Sequence, residues 1–357
     1  MITGIIDVGG GYRDIFGAGV LDGILELQQY ELQQYELQRQ ESEQHAQPEP
    51  QESEHQPPHS QQPQPEQQES GHQAAQSEHH TQPEPQPQPP LEQHPATTAL
   101  HFTHAYGISA GSGNLTSFLA GQHKRNYRFY MEYAFRHRYA SMRNMLRTRN
   151  FVGLDYAYGT LSNSDGEYPL NYEAFTASPT TLTVVASDAS TGLPHYFAKQ
   201  DMRQDDYTVI MASSCVPVVN RPVVVAGVPY FDGGLTDPIP VQKAFDDGCE
   251  KVVLITTHPA DFVRDPRKDT APARALQRSY PYAAEALRRR AQTYNDEMAV
   301  ARRYAADGRL LILAPDETYG LNTLSKTRRG LLDMYNDGVR KAQLVSQFFR
   351  EEADHAE

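Results

Sequence analysis

The chain has 357 residues and a formal charge of −13. Two cysteines, Cys215 and Cys249, exclude a disulfide scaffold, and no apolar run reaches the roughly 18 residues of a membrane span. Residues 1–7 lack the basic start and long apolar run of a signal peptide, so a soluble cytoplasmic protein is expected.

The charge is unevenly spread. Residues 28–94 hold twelve Glu against Arg39 alone, a net −11 that leaves −2 for the rest. The same stretch has seven of the fourteen His and eleven of the twenty-five Pro. With so few apolar side chains it cannot bury enough surface to offset chain entropy, so residues 28–95 read as a disordered Gln/Pro/Glu/His-rich insertion. Clustered histidines such as His79 and His80 could bind metal weakly, but a solvated spacer is the simpler reading, and no metal site is assigned. Residues 1–27 and 96–357 remain, about 290 in all, enough for one large α/β domain.

In chain order, residues 2–8 form a short apolar strand. Gly9, Gly10, Gly11, Tyr12 and Arg13 follow, and a helical pattern runs through Ile15, Ala18, Val20, Leu21 and Ile24. Glycines between a strand and a helix free backbone N–H groups to face an anion. A dinucleotide loop needs a third glycine where Asp14 stands, and its acidic partner would fall in the Gln-rich tract, so that reading is set aside. An oxyanion hole remains, as does a plain tight turn. The helix then enters a five-residue repeat. A period of five turns Leu27, Leu32 and Leu37 by about 140° each time, so they form no stripe. A helix here ends at the sheet edge opposite its start, which places the insertion on the far side from the next motif.

That motif begins after an apolar run, residues 100–106, read as a buried strand. Gly107, Ile108, Ser109, Ala110 and Gly111 spell Gly-x-Ser-x-Gly, and a helix-forming run follows. Strand, sharp turn and helix are what a nucleophile elbow needs, with Gly107 and Gly111 supplying the missing bulk. By itself the pentapeptide is equally an ordinary turn. Residues 124–149 then carry Lys124, Arg125, Arg128, Arg136, Arg138, Arg143, Arg147 and Arg149 against Glu132, interleaved with aromatic residues. Such a region suits an anionic membrane surface or a solvated helix face. No nucleic-acid fingerprint accompanies it.

Residues 181–188 read as another buried strand, with a short return strand at Tyr196 and Phe197. Residues 207–215 look helical. Asp232, Gly233 and Gly234 form a turn with a carboxylate at its start. A helix from 241, strands at 251–257 and 310–314, and helices at 282–306 and 328–349 complete the chain. Alternating strands and helices predict a mainly parallel central sheet with helices on both faces.

Taken together, the loop at Gly9 to Arg13, the Gly-x-Ser-x-Gly at Ser109 and the Asp-Gly-Gly at Asp232 resemble the patatin-like phospholipases, in particular the bacterial members described as predicted esterases. The resemblance covers residues 1–27 and about 100–349. It departs at Asp14, where many members have Gly, and in the long insertion. It implies a three-layer patatin-like architecture and a Ser–Asp dyad with no cofactor. Ser109 is then the nucleophile, Asp232 the general base, and the amides at Gly9, Gly10 and Gly11 the oxyanion hole. Gly107, Gly111, Gly233, Gly234 and Arg13 support the motifs. A carboxylate serves as base where low dielectric raises its pKa, and Tyr230 and Phe231 beside Asp232 favour that. The expected function is hydrolysis of carboxylic esters of lipids through an acyl-enzyme. Acyl transfer to another acceptor, or lipid binding and partner docking without catalysis, are the alternatives.

Overall fold

A computed structural model describes residues 1–45 and 100–350. Residues 1–32 and the described chain from 100 onward form one compact unit, and residues 33–45 fall in a second.

Strand β1 (Thr3–Asp7) is buried along its length and leads into helix α1 (Ile15–His45). The first turns of α1 bury Ile15, Phe16, Val20, Leu21 and Ile24. Leu27 still packs on the core and Leu37 is 53% exposed, the rotation that the five-residue repeat demands. The expectation that disorder begins at residue 28 is therefore corrected: 28–45 are helical. Gln, Glu and Leu are good helix formers, and propensity extends the helix past its last buried face. The rest of the expected insertion, 46–95, lies outside the described residues.

Strand β2 (His104–Ile108) and helix α2 (Ala110–Leu119) follow. The strand starts later than the apolar run suggests. Leu100 and Phe102 are buried as core, and the chain joins β1 only at Thr103, whose amide donates to the Thr3 carbonyl at 3.0 Å. The basic region holds two short helices, α3 (Arg125–Met131) and α4 (Met142–Thr148), and is followed by α5 (Tyr172–Ala177). Next come β3 (Thr181–Asp188), β4 (Pro194–Ala198), α6 (Thr208–Ser213), β5 (Val223–Val225) and β6 (Val228–Asp232). Helix α7 (Val241–Asp246), β7 (Lys251–Ile255), α8 (Arg267–Leu276), α9 (Pro281–Ala306), β8 (Leu310–Leu313) and α10 (Arg328–Arg350) complete the described fold.

The strands form one sheet in the order β5-β6-β3-β2-β1-β7-β8, with β4 also on β3. From β3 through β8 the pairings are parallel, while β4, β5 and β6 join antiparallel. The pleat divides the core in two. Ile5, Ala105, Val184 and Val253 face α1, α2 and α10, whereas Ile6, Tyr106, Val185 and Leu254 face α7 and α9. This three-layer α/β architecture is the one expected. The chain winds from β1 through β2 to β3 on one side, then crosses to β7 and β8 on the other. The switch point of such a sheet, at the carboxyl ends of its strands, is where ligands bind. Among the described residues no helix is long and apolar enough to cross a membrane.

Candidate active site

Asp7 pairs with Gly107, so β1 and β2 leave the sheet at the same level and their loops meet. Ser109 stands between β2 and α2 with φ 55° and ψ −129°. A non-glycine residue there costs of order 1–3 kcal/mol and persists only where its surroundings hold it. Three bonds do so. The Ser109 amide donates to Ser213 Oγ at 2.8 Å, and Ser213 Oγ donates to the Val185 carbonyl at 2.6 Å. The Ser109 carbonyl accepts the Ser112 hydroxyl at 2.6 Å. Side chains at Gly107 or Gly111 would strike the Ser112 backbone or the Asp7 carbonyl, so the elbow needs both glycines.

Asp232 arrives by sheet register. Along β3, β2 pairs through Val185 opposite Ile108, and β6 begins at Ala186 opposite Asp232. Strand β4 occupies the other edge of β3 across Ala186 and Ser187. Strands β2 and β6 therefore share one edge end to end, and Asp232 takes the place just beyond Ile108. Ser109 Oγ donates to Asp232 Oδ2 at 2.6 Å. The other oxygen, Oδ1, accepts the Gly234 amide at 2.8 Å. The Asp232 amide bonds the Cys215 carbonyl at 2.8 Å, and its carbonyl accepts the Ser187 hydroxyl at 2.7 Å. A side chain at Gly233 would collide with the Val185 carbonyl. Ser109 and Asp232 are 9% and 5% exposed. Burial pushes the Asp232 carboxyl above the usual range, and Arg290, the Ser109 hydroxyl, the Gly234 amide and Arg264 pull it partly back.

The loop after β1 rests against this pair. Gly9, Gly10 and Gly11 have φ of 66°, 151° and 62°, a run that side chains would strain. A Cβ on Gly9 would sit inside contact of the Ile108 carbonyl and 3.0 Å from Ser109 Cβ. Thr257 Oγ1 donates to the Gly9 carbonyl at 2.7 Å and fixes the loop. The Gly9 amide leans on Asp7 Oδ1 at 3.4 Å, while no described residue accepts from the Gly10 or Gly11 amides.

Several residues of the site carry no sequence signal. Ser213 lies in the helical stretch before Cys215, where no motif marks it. Asp7 and Asp14 are fully buried together beneath the elbow, and Asn114 Nδ2 donates to Asp14 Oδ2 at 2.9 Å and to Asp7 Oδ2 at 3.4 Å. Burial raises Asp7 to about 6, against bonds from Asp14, Gly9 and Asn114 that lower it. Burial, then the Asp7 charge, pushes Asp14 well up. Asp14 thus ties the turn after the glycine loop to α2 through Asn114. Arg290 on α9 donates through Nε to the Gly234 carbonyl at 2.6 Å, two residues after Asp232. Arg13 is buried next to the glycine loop. His258 makes no hydrogen bond to Ser109 or Asp232, and burial, with Arg13, Arg264 and Lys268, pushes it down to about 3. Cys215 and Cys249 are buried free thiols.

Comparison with known proteins is consistent with this α/β fold. Residues 96–245 match a family described as Patatin-like phospholipase. That span includes Ser109 and Asp232, while the glycine loop lies ahead of it, beyond the insertion. Residues 280–349, helices α9 and α10 among them, match a domain of unknown function, DUF6363. The chain is also similar to the uncharacterized protein YjjU of Escherichia coli (strain K12), 28% identical over 165 residues. That alignment spans less than half of either protein, 45% of this chain and 45% of YjjU.

Proposed function

We propose that this chain is a serine acyl hydrolase of the lipase, phospholipase or esterase type, with Ser109 as nucleophile and Asp232 as its base. One observation carries the reading: a buried 2.6 Å hydrogen bond from the serine of a strained elbow to a carboxylate fixed on its other oxygen. The patatin-like phospholipase match over the same residues supports it.

In the proposed reaction Ser109 Oγ attacks the ester carbonyl carbon while Asp232 Oδ2 takes the hydroxyl proton. A serine hydroxyl is a weak nucleophile without such a base. The bond from Gly234 holds Oδ1, so the proton goes to one defined oxygen. The tetrahedral oxyanion is met by the unengaged amides of Gly10 and Gly11, with Gly9 shaping the approach. Each such donor is worth on the order of 10²–10³ in rate. Asp232 returns the proton to the leaving alcohol. It then takes one from the water that attacks the acyl-enzyme and passes it to Ser109 Oγ as the acid leaves, which restores both groups. A carboxyl pKa raised by burial suits both halves of this shuttle.

The basic region contributes unequally to any contact with an anionic membrane. Arg125 is spent inside the fold on Ser117, Ser162 and the Tyr168 carbonyl, and Arg136 pairs with Glu167. Helix α4 buries none of its side chains, and Met142 and Leu146 are 64% and 82% exposed beside Arg143 and Arg147. We place the lipid-facing surface there.

The test is hydrolysis of p-nitrophenyl esters over a chain-length series, with Ser109→Ala as control. Turnover lost in the variant supports the reading. Turnover equal in both sinks it.

A further inference from the structure

Arg125 carries a charge that no described carboxylate balances. It opens α3, and its terminal nitrogens donate to Ser117 Oγ at 3.1 Å, Ser162 Oγ at 2.9 Å and the Tyr168 carbonyl at 3.1 Å. All three acceptors are neutral. Its Nε is buried without a hydrogen-bond partner. Burial pushes its pKa down, and the groups that oppose this are four tyrosines, Tyr168, Tyr207, Tyr158 and Tyr133. A buried cation is strongly disfavoured unless an anion meets it.

A small cavity of about 20 Å³ adjoins this guanidinium, and Arg125, Tyr158 and Tyr207 all line it. Tyr158 comes from the helical turn Asp155–Thr160, and Tyr207 stands just ahead of α6. Gly113 on α2 lets Tyr158 close in, because a Cβ there would stand 3.0 Å from its ring. The hydroxyls on the other walls are already engaged. Thr116 donates to the Ser112 carbonyl at 2.7 Å, Ser117 to the Gly113 carbonyl at 3.1 Å and Ser162 to the Ala157 carbonyl at 2.8 Å. What remains is a set of donors. The Tyr207 hydroxyl is buried with no partner, and the Tyr158 hydroxyl accepts from Ser214 at 3.4 Å, which leaves its own hydrogen unused.

We infer that Arg125, Tyr158 and Tyr207 form a binding site for a halide ion, chloride under ordinary conditions. The volume has room for one or two water-sized ligands and none for an organic anion. A water there would accept from two of the donors, leave its own hydrogens without acceptors and leave the charge unbalanced. A halide accepts from all three and supplies the missing charge. The ion would rest against α2, the helix that begins after Ser109. The site shares no residue with the Ser109–Asp232 pair, so it stands or falls apart from the acyl-hydrolase reading.

Two measurements on the full chain test it, with Tyr207→Phe as the variant, which removes one donor and keeps the ring. The first is the thermal midpoint in sodium chloride against sodium gluconate at equal ionic strength, gluconate being too large for the cavity. Chloride should raise the wild-type midpoint saturably. In Tyr207→Phe the same rise should need roughly tenfold more chloride or beyond, the worth of one hydrogen bond to a charged group. The variant should melt no lower than wild type in gluconate, because the hydroxyl it lacks has no protein partner, and this also reports its folding. The second is anomalous scattering from crystals grown in sodium bromide. One bromide should appear within hydrogen-bond reach of Arg125 Nε and the two tyrosine hydroxyls. Equal wild-type midpoints in chloride and gluconate overturn the site, as does a chloride response unchanged in Tyr207→Phe. Bromide-grown crystals with only water in the cavity overturn it as well, and any chloride response then belongs to another place on the chain.

Discussion

Ser109 and Asp232, 123 residues apart, share a 2.6 Å hydrogen bond because Ile108 and Asp232 take consecutive places along one edge of β3. Strands β2 and β6 both end where they meet, so backbone ladders set the distance between the two side chains. Asp232→Asn should therefore keep the fold, since an amide oxygen still accepts from Gly234. It should lose roughly 10²–10⁴ in kcat, the usual worth of a general base. Steady-state kinetics on a short-chain ester with the thermal midpoint alongside checks this; near-normal kcat removes Asp232 from the chemistry.

The acid limb of kcat/KM should lie above the ordinary carboxylate range, because the base must be ionised and burial raises its pKa. Arg290 is the largest influence holding that pKa down. Removing the cation in Arg290→Gln disfavours the carboxylate, so the limb should move to higher pH. A pH–rate profile that stays put, or moves down, contradicts the assignment of that limb to Asp232.

Ser213 should prove essential to the elbow. In Ser213→Ala the buried Ser109 amide loses its acceptor, at a cost of about 1–3 kcal/mol. Urea unfolding should register that loss, and kcat should fall with it as the strained Ser109 relaxes. Full stability in the variant would mean that another group takes over the amide.

The Asp7 and Asp14 pair makes a stability prediction with a definite sign. Asp7 has a folded pKa raised to about 6, so its contribution is fully present below the unfolded pKa near 3.9 and is lost as pH rises through 6. Relative to Asp7→Asn, the wild type should lose stability between about pH 4 and 6. Urea midpoints across that window measure the difference, and a constant offset would exclude the titration.

Much of the fold, and the motifs that carry Ser109 and Asp232, are legible in the amino-acid sequence. Strand and helix alternation follows from apolar periodicity, and the elbow, the Asp-Gly-Gly turn and the glycine loop are short motifs whose residues are dictated by backbone shape. What cannot be read locally depends on pairing across long separations. Nothing near Ser213 in the chain says that it holds Ser109, because that bond exists only once α6 packs beside β3. Asp7 and Asp14 look like ordinary polar residues until Asn114 is folded onto them. Helix α8, with Pro272 in its interior, defeats periodicity, and Arg264 and Arg290 sit in stretches with no motif. The extent of α1 departs from expectation for the opposite reason: composition speaks for disorder where local helix propensity prevails.

The most direct measurement is the site of covalent trapping. The full chain is treated with a fluorophosphonate ester and its intact mass recorded, followed by peptide mapping. The account predicts a single adduct on Ser109, absent in Ser109→Ala and formed far more slowly in Asp232→Asn. An adduct on another residue, or wild-type labelling in the Asp232→Asn protein, would contradict it.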